Sequence, residues 1–154
     1  MSSWPPRWLT PVPEQAIEAG KVQEPVSHFA EAYGIITKDS VAGRSGEPLV
    51  LRDWQRNLIE HMFAFEDGGY RHQSQLVLMP RKNGKSALGS LIALYGLILG
   101  PKGAEVYSVA AEKEQARIVF ADARRMIEAS EELSGITKLY RDAIELPKLN
   151  SVYR

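Results

Sequence analysis

Leu76-Val77-Leu78-Met79-Pro80-Arg81-Lys82-Asn83-Gly84-Lys85-Ser86-Ala87-Leu88-Gly89-Ser90-Leu91-Ile92-Ala93-Leu94 reads as a buried strand, a tight basic turn and a helix. The Leu/Val run suits a central parallel strand, and Pro80 stops the ladder because it has no N–H to donate. After Ser86, the residues Leu88, Leu91, Ile92, Tyr95, Ile98 and Leu99 recur at helical spacing, giving a face that can pack on a sheet. Gly84-Lys85-Ser86 stands at the junction. A phosphate-binding loop places its Gly-Lys-Ser/Thr there, with backbone N–H groups and the helix N-terminus aimed at phosphates. The full pattern calls for a glycine five residues before Gly84, where Met79 stands. The alternative is an ordinary strand-to-helix turn with Lys85 and Ser86 solvated.

The bulk numbers suit a soluble globular chain. With 154 residues and 44% hydrophobic content it can build one domain with a real core, and 25% charged residues is ordinary. Nineteen basic residues balance nineteen acidic ones, so any nucleic-acid contact must come from a local patch. Without cysteine, disulfides and thiolate metal sites are excluded. The start, Met1-Ser2-Ser3-Trp4-Pro5-Pro6, lacks the features of a secretory signal, and no apolar run approaches the ~20 residues of a membrane span. His28, His61 and His72 are too scattered to suggest a metal site.

Outward from the central stretch, residues 1–13 hold four of the nine prolines with Trp4 and Trp8, which favours an extended arm. Short helices are predicted over Pro13–Ala19 and Val26–Tyr33, the second closed by Gly34. Residues 39–48 read as a loop, and the boundary between a helical N-terminal arm (1–44) and a nucleotide-binding core (45–154) is placed there. Arg52–Phe65 shows helical spacing of Trp54, Leu58, Ile59, Met62 and Phe65, ended by Asp67-Gly68-Gly69. Beyond the central helix, Gly100-Pro101-Lys102-Gly103 is a turn and Glu105–Ala110 a second strand. Strand, crossover helix and strand at this spacing argue for parallel pairing, with the basic turn at the carboxyl end of its strand. A long amphipathic helix over Glu112–Ala129 turns Ala116, Val119, Phe120, Ala123, Met126 and Ile127 inward. A β-hairpin follows, Ala143–Leu146 outbound and Ser151–Arg154 returning.

Pro80-Arg81-Lys82-Asn83-Gly84-Lys85-Ser86 resembles the deviant Walker A loop of the large terminase subunits of tailed bacteriophages, which commonly lose the first glycine and carry an arginine inside the loop. Leu51-Arg52-Asp53-Trp54-Gln55-Arg56 is similar to that family's adenine-side motif. Val106-Tyr107-Ser108-Val109-Ala110-Ala111 with Gln115-Ala116 is similar to its next strand and helix. The resemblance implies an α/β fold: a P-loop nucleotide-binding domain of the RecA (ASCE) type with a parallel sheet core, incomplete here. It implies ATP and Mg²⁺ as cofactors, with Lys85 on the β- and γ-phosphate oxygens, the Ser86 hydroxyl on Mg²⁺, and the amides of Asn83, Gly84 and Lys85 along the phosphates. Pro80 and Lys82 belong to the same cradle. Arg81 stands where the family's loop arginine approaches the γ-phosphate; an anchoring salt bridge to a carboxylate is the other reading. Gln55 stands where a carboxamide reads adenine; a plain helix-start residue is the alternative. The implied partners are double-stranded DNA, the terminase small subunit and the capsid portal, in a homo-oligomeric ring docked on the procapsid in the host cytoplasm.

The catalytic half of such a motor is not visible. No run of four or more apolar residues followed by Asp-Glu occurs after Ser86, and no nuclease acidic cluster follows. Asp122 and Glu128 lie on the long predicted helix, and Arg124 and Arg125 there are candidates for an arginine acting on a neighbouring subunit. The expectation is the front part of a packaging ATPase domain. Two other readings stand beside it: a noncatalytic nucleotide-binding or interaction module, and a fragment of a helicase-like translocase.

Overall fold

The computed structural model describes residues 26–40, 43–66 and 69–154. The predicted proline-rich arm and the helix over Pro13–Ala19 lie outside them. The described chain divides into two compact units, one of residues 26–32 and 50–78, the other of 33–49 and 79–154.

The first unit holds α1 (Val26–Tyr33), α2 (Asp53–Met62), β1 (Phe65–Glu66) and β2 (Gly69–Tyr70). Its buried apolar residues are Val26, Phe29, Ala30, Leu51, Ile59 and Ala64. Two polar ties join the helices: Ser27 Oγ donates to Glu60, and Arg56 pairs with Glu31. The predicted helix over Arg52–Phe65 ends earlier, at Met62, because the chain turns into a two-residue ladder pairing Phe65 with Tyr70 and Glu66 with Gly69.

The second unit is built on α3 (Lys85–Ile98), which buries Leu88, Ser90, Leu91, Ala93, Leu94, Tyr95 and Leu97. Those positions spread over about 220° of the helix, a wider face than its spacing suggested. It is followed by β3 (Glu105–Val106), α4 (Lys113–Glu128), α5 (Glu131–Ile136), β4 (Lys138–Leu139), β5 (Ile144–Leu146) and β6 (Ser151–Tyr153). The strands form one sheet in the order β3-β6-β5-β4. Ile144, Leu146, Ser151 and Tyr153 alternate onto its buried face, and Lys138 stands opposite Glu145 on the other. The predicted hairpin is present: β5 and β6 pair antiparallel and are joined by a 3₁₀ turn, Pro147–Leu149, that closes through Asn150 in the left-handed region.

Two expectations need correction. The sheet is mixed: β3 and β6 are parallel, but β6–β5 and β5–β4 are antiparallel. The Leu76–Met79 run is extended yet belongs to no strand, and Leu76 and Leu78 are each 84% exposed. An apolar strand is buried only by neighbours on both sides, and the described strands supply none to this run. After Val106, Tyr107 and Val109 are exposed although a longer strand was expected.

Candidate functional site

Residues Met79–Ser86 lie together in the second unit and form the turn that opens α3. Lys82 has φ 65° and Gly84, the N-cap, φ 80° with ψ 17°. The left-handed region costs a lysine about 1 kcal/mol, so the turn holds Lys82 in a conformation it does not choose on its own. Gly84 carries no such cost. The first intrahelical bond runs from Leu88 N–H to the Gly84 carbonyl at 2.9 Å, which leaves the N–H groups of the first turn without intrahelical partners. No carboxylate stands in that turn. The local field is therefore that of an uncompensated helix N-terminus with three cations around it.

The side chains lie as follows. Lys85 Nζ donates to the Met79 carbonyl at 3.3 Å, folding the ammonium back across the turn. Asn83 Nδ2 lies 3.3 Å from the Pro80 carbonyl and 3.4 Å from that of Arg81, long bonds that tie the turn loosely to itself. Arg81, Lys82, Lys85 and Ser86 are exposed. Among the described residues neither Arg81 nor Lys82 has an ion-pair partner, so the anchoring salt bridge weighed for Arg81 is not seen. A phosphate chain with its divalent cation fits these residues: amides and ammonium groups face one exposed turn, and Ser86 offers a hydroxyl beside them.

Gln55 belongs to the first unit, where the structure gives it a local task. Its Oε1 accepts from the Arg52 N–H at 3.0 Å while its own N–H donates to the Arg52 carbonyl at 2.8 Å, which closes the first turn of α2. Gln55 is 9% exposed.

Ser90 ties the turn-bearing helix to its neighbour. Its hydroxyl lies 2.8 Å from both the Ser86 and the Val119 carbonyls, joining the first turn of α3 to the middle of α4. A methyl group built on Gly89 would also touch Val119, at 3.6 Å, and one on Gly96 would touch Val106, at 3.5 Å. These contacts set α3 and α4 side by side. Sequence reasoning missed two features of α4 and its surroundings. Asp122 is 4% exposed and paired with Arg125 at 3.3 Å. A cavity of about 170 Å³ opens where Phe120, Arg117, Asp142 and Arg154 converge. Arg124 is held as well, by Glu128 at 2.8 Å and the Tyr140 carbonyl at 3.4 Å, so both candidate trans-acting arginines have partners within the chain.

The fold agrees with what comparison finds. The chain aligns with the crystal structure of the HK97 bacteriophage large terminase with a TM-score of 0.66 at 24% identity, over 84% of this chain and 26% of the other. It thus spans about a quarter of the length of that protein, and the similarity lies in the fold. Among curated proteins nothing matches the sequence. Residues 53–154, which contain Gln55, the whole 79–86 turn, α3, α4 and the sheet, match the family described as terminase large subunit, ATPase domain. The chain therefore belongs to the terminase large subunit ATPase family.

Proposed function

We propose that this chain is the ATP-binding part of a viral DNA-packaging motor, a P-loop fold of the RecA type that, in the complete protein, couples ATP hydrolysis to movement of double-stranded DNA into a capsid. The observation that carries the reading is Gly84-Lys85-Ser86 opening a buried helix inside the region matched to the family. Lys85 exchanges its Met79 carbonyl contact for β- and γ-phosphate oxygens, a charge-assisted and therefore stronger bond. The Ser86 hydroxyl takes a Mg²⁺ position, and the amides of Asn83, Gly84 and Lys85 cradle the phosphate chain within the Pro80–Lys82 turn. Arg81, exposed and without an ion-pair partner among the described residues, senses the γ-phosphate or stabilises charge there. Gln55 reads the adenine edge. Bound Mg·ATP supplies the transferable phosphoryl group, and Lys85 and Arg81 supply positive charge where negative charge develops.

The working assembly follows from the family: a homo-oligomeric ring with double-stranded DNA, the small subunit and the capsid portal, acting in the host cytoplasm on the procapsid. Among the described residues no helix is long and apolar enough to cross a membrane.

Calorimetric titration with Mg·ATP tests the cradle. Lys85→Ala is expected to weaken binding by about 1.5–3 kcal/mol, the range for a charge-assisted hydrogen bond. Equal affinity in both proteins would remove the turn as a nucleotide site.

A further inference from the structure

The cavity beside α4 is distinct in its residues from the 79–86 turn. It lies beyond the carboxyl ends of the parallel pair β3 and β6, the edge at which α/β sheets bind ligands. Ala116 and Phe120 form its floor, and Lys113, Arg117, Arg154 and Asp142 its rim. Three cations and one carboxylate leave a surplus of two positive charges here, in a chain whose net charge is zero.

The cations are weakly committed. Arg117 meets Asp142 at 3.3 Å with both side chains about half exposed, and Arg154 reaches the Tyr107 hydroxyl only at 3.5 Å. Lys113 has no ion-pair partner among the described residues. The backbone beneath them is firm: Arg154 N–H donates to the Val106 carbonyl and Ser108 N–H to the Arg154 carbonyl, each at 3.0 Å. Tyr153, whose ring lies tilted at 5.3 Å from that of Phe120, bonds Ser108 Oγ at 2.7 Å. The row also continues, since Lys113, Arg117 and Arg124 at i, i+4 and i+11 keep to one side of α4. They span about 16 Å at 1.5 Å per residue, roughly the rise of five base pairs along the axis of duplex DNA at 3.4 Å each. A linear polyanion matches such a row better than a single small anion does.

We infer that Lys113, Arg117 and Arg154 form a phosphate-binding notch that takes the backbone of duplex DNA, on residues of the second unit other than those of the nucleotide turn. This rests on the DNA-motor reading for the identity of the polyanion. Asp142 acts as an internal stand-in, occupying Arg117 until a phosphate displaces it.

The test follows the anisotropy of a labelled duplex of about 20 base pairs binding to the whole chain across a salt series. Lys113→Gln with Arg154→Gln is expected to weaken binding by about tenfold or more and to flatten the slope of log affinity against log salt by about two, since each lost phosphate contact removes about 0.9. Asp142→Asn, which frees Arg117, should bind several-fold tighter, an outcome that loss of structure cannot produce. Lys102→Gln, before the start of β3 and so at the opposite edge, should change nothing. Lys85→Ala should lose ATP and keep the duplex. The inference is overturned if the wild-type chain does not bind duplex at low salt, if the double variant with an unchanged circular dichroism spectrum keeps its affinity and slope, or if an acidic peptide of equal charge binds as well. Loss of duplex binding in Lys85→Ala would also overturn it, by making the two sites one. Duplex binding with the expected variant pattern but without any ATP binding would leave the notch standing and remove the nucleotide reading.

Discussion

Gln55 carries one carboxamide and two uses for it. Its oxygen already accepts the Arg52 N–H, but a carbonyl has two lone pairs, so closing the helix turn does not exhaust it. Replacing Gln55 by Ala should cost about 0.5–2 kcal/mol of stability through the lost cap and lower ATP affinity more than GTP affinity. Gln55→Glu separates the two roles, because a carboxylate keeps the acceptor for Arg52 and loses the donor. Equal losses for both nucleotides would leave Gln55 with the helix start alone. His61 offers a different test in the same unit. Its ring lies 4.8 Å from that of His72, whose buried Nε2 has no hydrogen-bond partner among the described residues. Burial first, then the nearby His72 and Arg71, lowers the His61 pKa below 6.5. The folded protein thus binds the proton less readily than the unfolded chain does. This contribution to stability is complete above pH 6.5 and declines as pH falls below that value and through the lowered one. Thermal unfolding between about pH 7.5 and 5 should show the midpoint falling in the wild type and falling less in His61→Gln. Parallel curves would assign the titration elsewhere.

At the scale of elements, two glycines should respond in opposite directions. A methyl group on Gly100 would stand 2.1 Å from the Gly96 carbonyl oxygen, which is backbone and cannot swing away, whereas one on Gly135 in α5 meets nothing within 4 Å. Gly100→Ala should lose about 1–3 kcal/mol in urea unfolding, and Gly135→Ala should gain about 0.4–1 kcal/mol by restricting the unfolded chain. The elements themselves were largely legible. The periodicity in Asp53–Met62 and Lys113–Glu128, the Gly84 junction and the Pro147-to-Asn150 turn are local signals, and local signals survive into the structure. Burial was less legible because it depends on partners. Leu76 and Leu78 look like core residues and are exposed, while Ala93, Leu94 and Leu97 lie off the expected face of α3 and are buried. The 79–86 turn could be read as one contiguous string. The left-handed Lys82 and the notch could not, since the notch gathers residues 108 to 154 from four separate segments.

The whole chain should bind nucleotide and turn it over at near background. Of the three acids on α4, Glu114 stands in the first turn, while Asp122 is buried against Arg125 and Glu128 is engaged by Arg124, so these two are not available to orient water. Phosphate release followed with duplex, first with this chain alone and then with the remaining large-subunit sequence restored, checks this. Brisk turnover by the chain alone would show that an acid within it had been overlooked. In the restored motor, Arg124→Ala and Arg125→Ala ask whether either arginine leaves its carboxylate to serve a neighbour, a role worth roughly 10³–10⁵ in rate in other nucleoside triphosphatases. One hydroxyl has a further consequence for such a machine. Ser90 has a single proton, and the carbonyls it reaches belong to the turn that carries Ser86 and to the middle of α4. The two helices are geared at that tooth: a tug on the first turn of α3 must either drag the second rod along or slip the proton wholly to one side. Strokes at the nucleotide end and grip at the far rim of α4 would then keep time through one oxygen atom.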